Sequence, residues 1–256
     1  MTDGEPVLSE RRGRVLIVTM NRPEARNAIN AQVAEGMAAA LDLLDGDDEL
    51  SVGIITGAGG FFSAGMDLKA FAAGGFPVAA DRGFGGITER SSEKPLIAAI
   101  EGFALAGGLE IALACDLMVA AAGAKLGIPE VKRGLMAVGG GLLRLPSLLP
   151  RNVAAELALT GDPILAERAH DLGMVNRLAE PGAALEVALE LADKIAANAP
   201  LALRGSKRIM REAADWPASE GFARQLPIWQ PVFSSADAHE GAVAFAEKRA
   251  PVWRGV

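Results

Sequence analysis

The sequence has few of the residues that disulfide bonds, metal sites and membrane spans require. It contains one cysteine, Cys115, and two histidines, His170 and His239. A single cysteine excludes an internal disulfide and fits a reducing compartment, and two histidines argue against a histidine-rich metal site. Charged residues interrupt every apolar stretch before it reaches the length of about 18 residues that a membrane span needs.

The chain also has fewer positively charged than negatively charged residues. The chain has 25 Lys and Arg against 32 Asp and Glu, a formal net charge of −7. This balance disfavours a nucleic-acid-binding protein, which normally presents a basic face. The first six residues are acidic, with no cationic flank or hydrophobic run, so we expect no secretory signal. We therefore expect a cytoplasmic globular protein without nucleic-acid or membrane partners.

Glycine, by contrast, is abundant. It accounts for 30 of 256 residues, about 12% against a usual background of about 7%. Half of the residues are hydrophobic, so the chain can build a large core. The glycines therefore belong to a folded protein and cluster at 57–60, 74–86, 102–108 and 139–141. Backbone amides exposed at such turns are natural donors to anions and oxyanions.

The order of the apolar segments predicts an α/β fold. Predicted strands cover 15–20, 52–56, 96–100, 117–120 and 175–177. Predicted helices follow Asn30 up to Gly46, begin near Gly107, and cover 151–160, 166–172, 182–198, 201–212 and 235–248. Residues 74–86 are expected to form a loop with few anchors that shapes a binding pocket. We divide the chain into an α/β core, 1–195, and a helical region, 196–256, within the same structural unit.

Three familiar glycine or serine motifs do not fit the spacing. Gly57 and Gly59 match the first two glycines of a G-x-G-x-x-G dinucleotide motif, but Phe62 takes the third place. None of the glycine clusters runs into the G-K-[ST] of a phosphate-binding loop. Ser63 lacks the preceding glycine of a nucleophile elbow. The two histidines have no obvious partner and are interpreted as surface or capping residues.

Two other turns each follow a predicted strand and lead into a helix, at 61–68 and 102–110. Side by side, they could aim two backbone N–H groups at one point, as in an oxyanion hole; the alternative is tight turns that serve only close packing. Glu110 and Glu130 both lie among apolar neighbours, where a carboxylate is costly unless it has a partner or a function. Such a pair can flank one water for acid–base chemistry; the alternative is that each is solvated.

The sequence resembles the crotonase (enoyl-CoA hydratase/isomerase) superfamily over essentially its whole length. Each matching motif is weak alone, but their order and spacing are specific together. The motifs are Asn21-Arg22-Pro23 with Asn27-Ala28, Phe62-Ser63-Ala64-Gly65-Met66-Asp67-Leu68, Ala106-Gly107-Gly108-Leu109-Glu110, Pro129-Glu130, Thr160-Gly161-Asp162, Gly173-Met174-Val175-Asn176 and Phe245-Ala246-Glu247-Lys248-Arg249.

This resemblance implies a spiral of ββα units with two roughly perpendicular sheets and a helical C-terminal layer. It implies that the N–H groups of Met66 and Gly107 bind the thioester oxygen of an acyl-CoA. Glu110 and Glu130 match the two catalytic glutamates of the hydratases, in unassigned acid and base roles. No metal or redox cofactor is implied, since coenzyme A is part of the substrate. The expected CoA-binding residues are Arg26, Ala28, Ala64, Met66, Asp67, Leu68, Gly107 and Lys248.

Arg26 and Lys248, the latter from this or a neighbouring subunit, are candidates for the CoA phosphates; the alternative is that each is a solvated surface charge. The resemblance also implies a trimer or a dimer of trimers. Trp216, Trp229 and Trp253 agree with it, because they bring more aromatic surface than one small helical layer can bury.

The expected activity is reversible hydration of the 2,3 double bond of an enoyl-CoA. Two departures from the common pattern bear on the substrate. Ala106 replaces a frequent glycine, and the segment before Gly139 lacks a common proline. Residues 139–146 and 245–255 are more similar to the carnitinyl-CoA dehydratase branch. The alternatives are therefore a carnitinyl-CoA-type dehydratase, an enoyl-CoA isomerase, or a non-catalytic acyl-CoA-binding protein.

Overall fold

The computed structural model describes residues 4–256, apart from the side chain of Ala80. The strands are β1 (Val7–Arg12), β2 (Val15–Met20), β3 (Val52–Gly57), β4 (Val78–Ala79), β5 (Gly83–Phe84), β6 (Leu96–Ile100), β7 (Phe103–Leu105), β8 (Leu117–Ala121), β9 (Lys125–Gly127), β10 (Ile164–Leu165) and β11 (Arg177–Ala179). The helices are α1 (Ala31–Gly46), α2 (Leu68–Ala72), α3 (Gly107–Leu113), α4 (Gly141–Leu148), α5 (Arg151–Thr160), α6 (Ala166–Asp171), α7 (Ala184–Ala196), α8 (Pro200–Glu212), α9 (Gly221–Phe233) and α10 (Ala236–Glu247).

The larger sheet has the strand order β1-β2-β3-β6-β8-β11. Its first pair, β1 with β2, is antiparallel, and the other neighbours are parallel. A second sheet has the order β10-β9-β7, and β4 pairs with β5 in a short hairpin. Strands β6 and β7 follow each other along the chain but belong to different sheets. The chain therefore passes between the sheets immediately before α3, where the second of the two turns lies.

Both faces of the larger sheet are buried, which explains the continuous apolar runs of its strands. In β2, Leu16 and Val18 belong to a core that includes the inner face of α1, whereas Val15 and Ile17 face the opposite side. On that side α7 covers the sheet with small side chains at helical spacing. The small residues of α7 are Ala184, Ala188 and Ala192. The α/β class expected from the sequence is thus present.

The helical region after α7 is much less buried. Helix α8 is tied to the core by Lys207, whose Nζ donates to the carboxylate of Asp116 at 2.6 Å and to the backbone oxygen of Lys94 at 2.8 Å. Large apolar side chains of α9 and α10 point outward, including Phe222 and Phe245, which are 87% and 88% exposed. The division at residue 195 stays a prediction, but the two parts differ clearly in burial.

Several predicted boundaries agree with the structure, and several elements differ from it. The helix at 151–160 is α5, and the strands at 15–20 and 96–100 are β2 and β6. The strand expected at 175–177 is displaced to Arg177–Ala179, because Val175 instead packs in the core before the strand begins. The helix start expected after the turn at 61–68 is α2, whereas β1, β4, β5, β7, β9, β10, α4 and α9 were not predicted from the sequence.

The expectation that residues 74–86 have few anchors is wrong. Arg82, only 1% exposed, reaches from this segment to α1 and pairs with the carboxylate of Asp42 at 2.5 Å. The same guanidinium donates to the backbone oxygen of Arg90 at 3.0 Å. Residues 83–87 are buried behind it. The segment is therefore fixed to the fold by a buried cation that the apolar pattern does not reveal.

Candidate active site

The first turn of the site, after β3, is held by a network around Asn27. This buried side chain donates from Nδ2 to the backbone oxygens of Ala58 at 2.8 Å and Phe61 at 3.0 Å. Ser63 in turn donates its hydroxyl to the backbone oxygen of Asn27 at 2.8 Å and accepts from the amide of Gly65 at 3.1 Å. Each polar group is thus satisfied inside the protein, and the backbone leading to Met66 has a defined direction.

The second turn lies directly against the first. The amide of Leu105 donates to the oxygen of Ser63 at 3.0 Å. Gly65 is required at the contact: a Cβ there would lie 2.6 Å from the Cβ of Ala106 and 2.9 Å from the nitrogen of Gly107. Within residues 4–256, neither Met66 nor Gly107 uses its backbone N–H in a hydrogen bond. The two amides predicted to form an oxyanion hole are therefore adjacent and available to a ligand.

Glu110, in the first turn of α3, is held by a loop of three glycines. Its side chain is 3% exposed, and Oε1 accepts from the amide of Gly141 at 2.9 Å. A Cβ at Gly139 would lie 2.8 Å from Oε2, so only glycine allows this approach. Burial raises the pKa of Glu110, whereas the amides of Gly141 and Gly139 and the charge of Arg144 act to lower it. The two amides and the cation therefore offset part of the free-energy cost of burying the charged carboxylate.

Glu130 has a different environment. It lies in the short 3₁₀ turn Pro129–Arg133 and is 9% exposed. Its Oε2 is buried and has no hydrogen-bond partner in the described part of the chain. Burial, together with the negative charge of Glu110, raises the pKa of Glu130 to about 7. At neutral pH a large fraction of Glu130 therefore carries a proton, which it can donate.

A single cavity of about 690 Å³ joins these groups. Seven of the predicted site residues line it: Arg26, Ala64, Met66, Leu68, Gly107, Glu110 and Glu130. Aromatic and aliphatic side chains form much of the remaining wall, among them Phe71, Phe76, Phe84, Leu105, Met136 and Val138. The structure thus combines two backbone donors and two carboxyl groups with an apolar chamber, a combination suited to a thioester with an apolar acyl group.

Three predicted CoA-binding residues do not line this cavity. Asp67 caps α2 by accepting from the amides of Lys69 and Ala70, and it pairs with Arg22 at 3.1 Å. The same arginine donates to the backbone oxygen of Ala28 at 2.6 Å. Asp67 and Ala28 therefore brace the first turn. Lys248 is exposed at the end of α10, and its contribution from a neighbouring subunit stays a prediction.

The sequence predicts that residues 74–86 shape the pocket, but it does not identify which side chains do so. Phe76 lies between Phe71 and Phe84, with both pairs of ring centroids 6.4 Å apart in edge-to-face geometry. Phe84 also packs where a Cβ on Gly107 would be. Arg133, on the cavity wall, was missed as well. The aromatic residues at 71, 76 and 84 were the only available signal, and their spacing follows neither a helix nor a strand.

Comparisons with known proteins agree with this geometry. The family model for enoyl-CoA hydratase/isomerase matches residues 10–256. The chain belongs to the enoyl-CoA hydratase/isomerase family. It is similar to enoyl-CoA hydratase EchA19 of Mycobacterium tuberculosis, with 46% identity over 97% of this chain and 96% of that protein. It is similar also to carnitinyl-CoA dehydratase of Salmonella typhi, with 45% identity over 96% and 97%.

The solved structures point the same way. The crystal structure of an enoyl-CoA hydratase from Mycobacterium tuberculosis H37Rv matches with a TM-score of 0.97 and 60% identity, over 98% of this chain and all of that one. A carnitinyl-CoA hydratase from Mycobacterium avium matches with a TM-score of 0.79 and 42% identity, over 98% and 99%. The crotonase fold and the family are therefore established.

One departure from the family pattern has a visible structural cost. Ala106, where a glycine is frequent, has φ 53° and ψ −131°. A side chain in this part of conformational space is strained, commonly by about 1–3 kcal/mol. The strain is tolerated because the amide of Ala106 donates to the oxygen of Gly127 at 2.9 Å, while its own oxygen accepts from Leu109 and Glu110. The residue before the Gly107 donor is therefore held by bonds on both sides.

The potential metal ligands in the described part of the chain do not cluster. Within residues 4–256, no three His, Cys, Asp or Glu side chains come together as a metal site. His170 and His239 are both exposed. In the same part of the chain, none of the helices combines the length and the apolar character that a membrane crossing needs.

Proposed function

We propose that the chain catalyses reversible addition of water to the 2,3 double bond of a 2-enoyl-CoA. The observation that carries the proposal is the pair of buried carboxyl groups with different environments in one cavity, next to two available backbone donors. A protein that only binds acyl-CoA needs the donors but not the pair, and burying two carboxyl groups without a purpose is costly. The names of the relatives agree with a reaction of this kind.

The oxyanion donors act first. With the thioester oxygen between the N–H groups of Met66 and Gly107, electron density is drawn from the conjugated double bond and Cβ becomes electrophilic. As water attacks, the π electrons move toward the thioester and an enolate develops at the oxygen. Donors already fixed in place stabilise this charge more than they stabilise the ground state, which lowers the barrier.

The two carboxyl groups divide the proton transfers according to their environments. Glu110, with amide donors and a nearby cation, is the base: it takes one proton from the water as the oxygen bonds to Cβ. Glu130, without such partners, is the acid: it gives its proton to Cα. One proton is taken up and one is delivered, so the dyad ends with its single proton on Glu110. Separated pKa values of this kind are how neighbouring carboxyl groups take different roles.

The uncharged acyl group is favoured over a carnitinyl group. Carnitinyl-CoA carries a quaternary ammonium, which proteins bind with carboxylates or aromatic faces. Phe71, Phe76 and Phe84 supply aromatic faces in the chamber, so the preference for an uncharged group rests on the charges of the wall. Among the described cavity residues, the only carboxyl groups are the catalytic pair, and two arginines, Arg26 and Arg133, add positive charge. Similarity to carnitinyl-CoA dehydratases keeps that reaction as the second candidate.

A panel of acyl-CoA substrates tests the proposal. Loss of enoyl-thioester absorbance is followed for 2-enoyl-CoAs of increasing chain length, a 3-enoyl-CoA and an enoyl-CoA ending in a quaternary ammonium, with products identified by mass. We expect uncharged 2-enoyl-CoAs to gain one water and to react faster than the charged one. Preferred turnover of the quaternary ammonium substrate would establish the carnitinyl-type reaction instead. Tight binding of all the esters without turnover would make the protein a carrier.

We further propose a trimer or hexamer in the cytoplasm, with the CoA phosphates near Arg26 and Lys248. The support is the outward apolar surface of α9 and α10, where Phe222, Phe233 and Phe245 are largely exposed. Patches of this kind usually mark protein contacts. Light scattering at micromolar concentration is expected to give the mass of a trimer or hexamer, whereas a stable monomer would contradict the assembly.

A further inference from the structure

Arg144 contacts neither carboxyl group of the site, yet it lies behind the loop that holds one of them. It is on α4, one turn after Gly141, whose amide donates to Glu110. Its Nη1 donates to the oxygen of Gly139 at 3.3 Å, and its Nη2 donates to the oxygen of Thr88 at 2.6 Å. The guanidinium therefore joins the glycine loop to the end of the segment that carries Phe84.

The loop needs such a tie because of its composition. Three consecutive glycines, Gly139 to Gly141, have the largest backbone freedom of any tripeptide, and Gly140 has φ +100°. The absence of side chains is required, since a Cβ at Gly140 would collide with the guanidinium of Arg144 and one at Gly139 would crowd Glu110. The same glycines that make room for Glu110 cannot by themselves hold the amides in place.

The electrostatic surroundings of Glu110 also involve Arg144. The charged side chain that acts on Glu110 is Arg144, from α4, and its charge favours ionisation of Glu110. The negative charge of Glu110 opposes ionisation of Glu130, on the 3₁₀ turn Pro129–Arg133. Arg144 in turn faces Glu110 and the thiol of Cys115. Arg144 is half-buried, and its recorded hydrogen bonds go to the backbone oxygens of Gly139 and Thr88.

We propose that Arg144 is a positioning residue for catalysis, which fixes the Gly139–Gly141 loop around Glu110 and keeps Glu110 ionised as the base. This inference rests on the proposed hydration activity. The guanidinium then has two roles, because its fork fixes two backbone oxygens while its charge lowers the proton affinity of a carboxyl group that it does not touch.

The test compares Arg144→Gln, Arg144→Lys and the exposed control Arg151→Gln on α5. For a four-carbon 2-enoyl-CoA, Arg144→Gln is expected to lower kcat by about 10-fold to 100-fold, the scale of a misplaced catalytic group. Because the lost charge had favoured ionisation, the acid limb of the kcat profile should move to higher pH. Arg144→Lys retains the charge without the fork, so its limb should stay near the wild-type position while kcat is only partly recovered. Arg151→Gln should match the wild type.

Two further measurements separate positioning from a general effect on the fold. Affinity for a saturated four-carbon acyl-CoA should stay within about twofold, because the oxyanion amides are untouched. In a Glu110→Gln background, either Arg144 variant should cause little additional loss, since it acts through Glu110. If Arg144→Gln does not fold, the same double-variant comparison is made with Arg144→Lys and Glu110→Gln, and its result tests the inference. Losses that multiply in the double variant, or an acid limb that does not move in Arg144→Gln, would overturn the inference. Absence of hydration by the wild type would instead refute the proposed function.

Discussion

The loop around Glu110 and the turn around Glu130 both line one cavity but are built differently. Around Glu110, three glycines bring backbone amides to the carboxylate, with a cation behind them. Around Glu130, a 3₁₀ turn buries the carboxyl group and leaves Oε2 without a partner in the described part of the chain. Burial raises the pKa of both carboxyl groups, and the amides and the cation around Glu110 offset part of that rise. The surroundings of a carboxyl group, including nearby backbone amides, can therefore give two chemically identical side chains different roles in proton transfer.

The largest effects are expected when either carboxyl group is removed. Glu→Gln keeps the shape but eliminates the proton acceptor or donor, so Glu110→Gln and Glu130→Gln should each lower kcat by about 10²–10⁴-fold. Affinity for a saturated acyl-CoA should hardly change. The exposed Glu156→Gln is the control and should behave as wild type. A large loss for one variant only would indicate isomerase chemistry with a single carboxyl group, and near-normal hydration by either folded variant would refute the two-glutamate mechanism.

The pH dependence of kcat/KM sharpens the comparison. As pH rises through about 7, Glu130 loses the proton that Cα must receive, so the rate should fall on the alkaline side. As pH falls through the pKa of Glu110, which burial raises above its ordinary value, the base is protonated and the rate should fall again. Steady-state kinetics across this range should give a bell-shaped profile. A rate constant that still rises above about pH 8 would show that Glu130 is not the acid.

The effect of the strained residue beside the oxyanion donor is expected to be smaller. Ala106→Gly should relieve the positive φ and stabilise the protein by about 1 kcal/mol, after the entropic cost of glycine. Ala114→Gly is the matched control, because Ala114 ends the same helix with φ −83° and gains nothing from glycine. Urea unfolding measures both variants. Destabilisation by Ala106→Gly equal to that of Ala114→Gly would show that the backbone there is not strained.

The strands and helices that could be predicted from the sequence are those with a clear local pattern of apolar residues. Strands such as β2 and β6 are buried on both faces, so their unbroken apolar runs identify them. Strand β1 was missed because its outer residues are polar and exposed at the edge of the sheet. Helix α9 was missed because Pro227 and Pro231 lie within it, and both normally disfavour a helix. These are cases where tertiary packing overrides local preference.

Some residues of the site could likewise be predicted from the sequence, and others could not. Met66, Gly107 and Glu110 belong to short motifs that the resemblance identifies, and the structure brings them together with Glu130. Arg82 and Arg144 were missed, because Arg82 pairs with the carboxylate of Asp42 and Arg144 donates to the backbone oxygen of Thr88, both far away in the sequence. No local pattern distinguishes an arginine of this kind from a solvated one. Side chains that set the surroundings of a site therefore need coordinates, whereas its backbone donors can be found by spacing.

The central claim is that the surroundings, not the side chains, separate the two carboxyl groups. Carboxyl ¹³C NMR titration of the substrate-free enzyme tests it most directly. In the wild type, Glu130 should have the higher apparent pKa of the pair, about 7. In Glu110→Gln, the pKa of Glu130 should fall because a like charge is removed, yet stay above its ordinary value because burial remains. An ordinary pKa for Glu130 in the wild type, or one that does not respond to Glu110→Gln, would contradict this account.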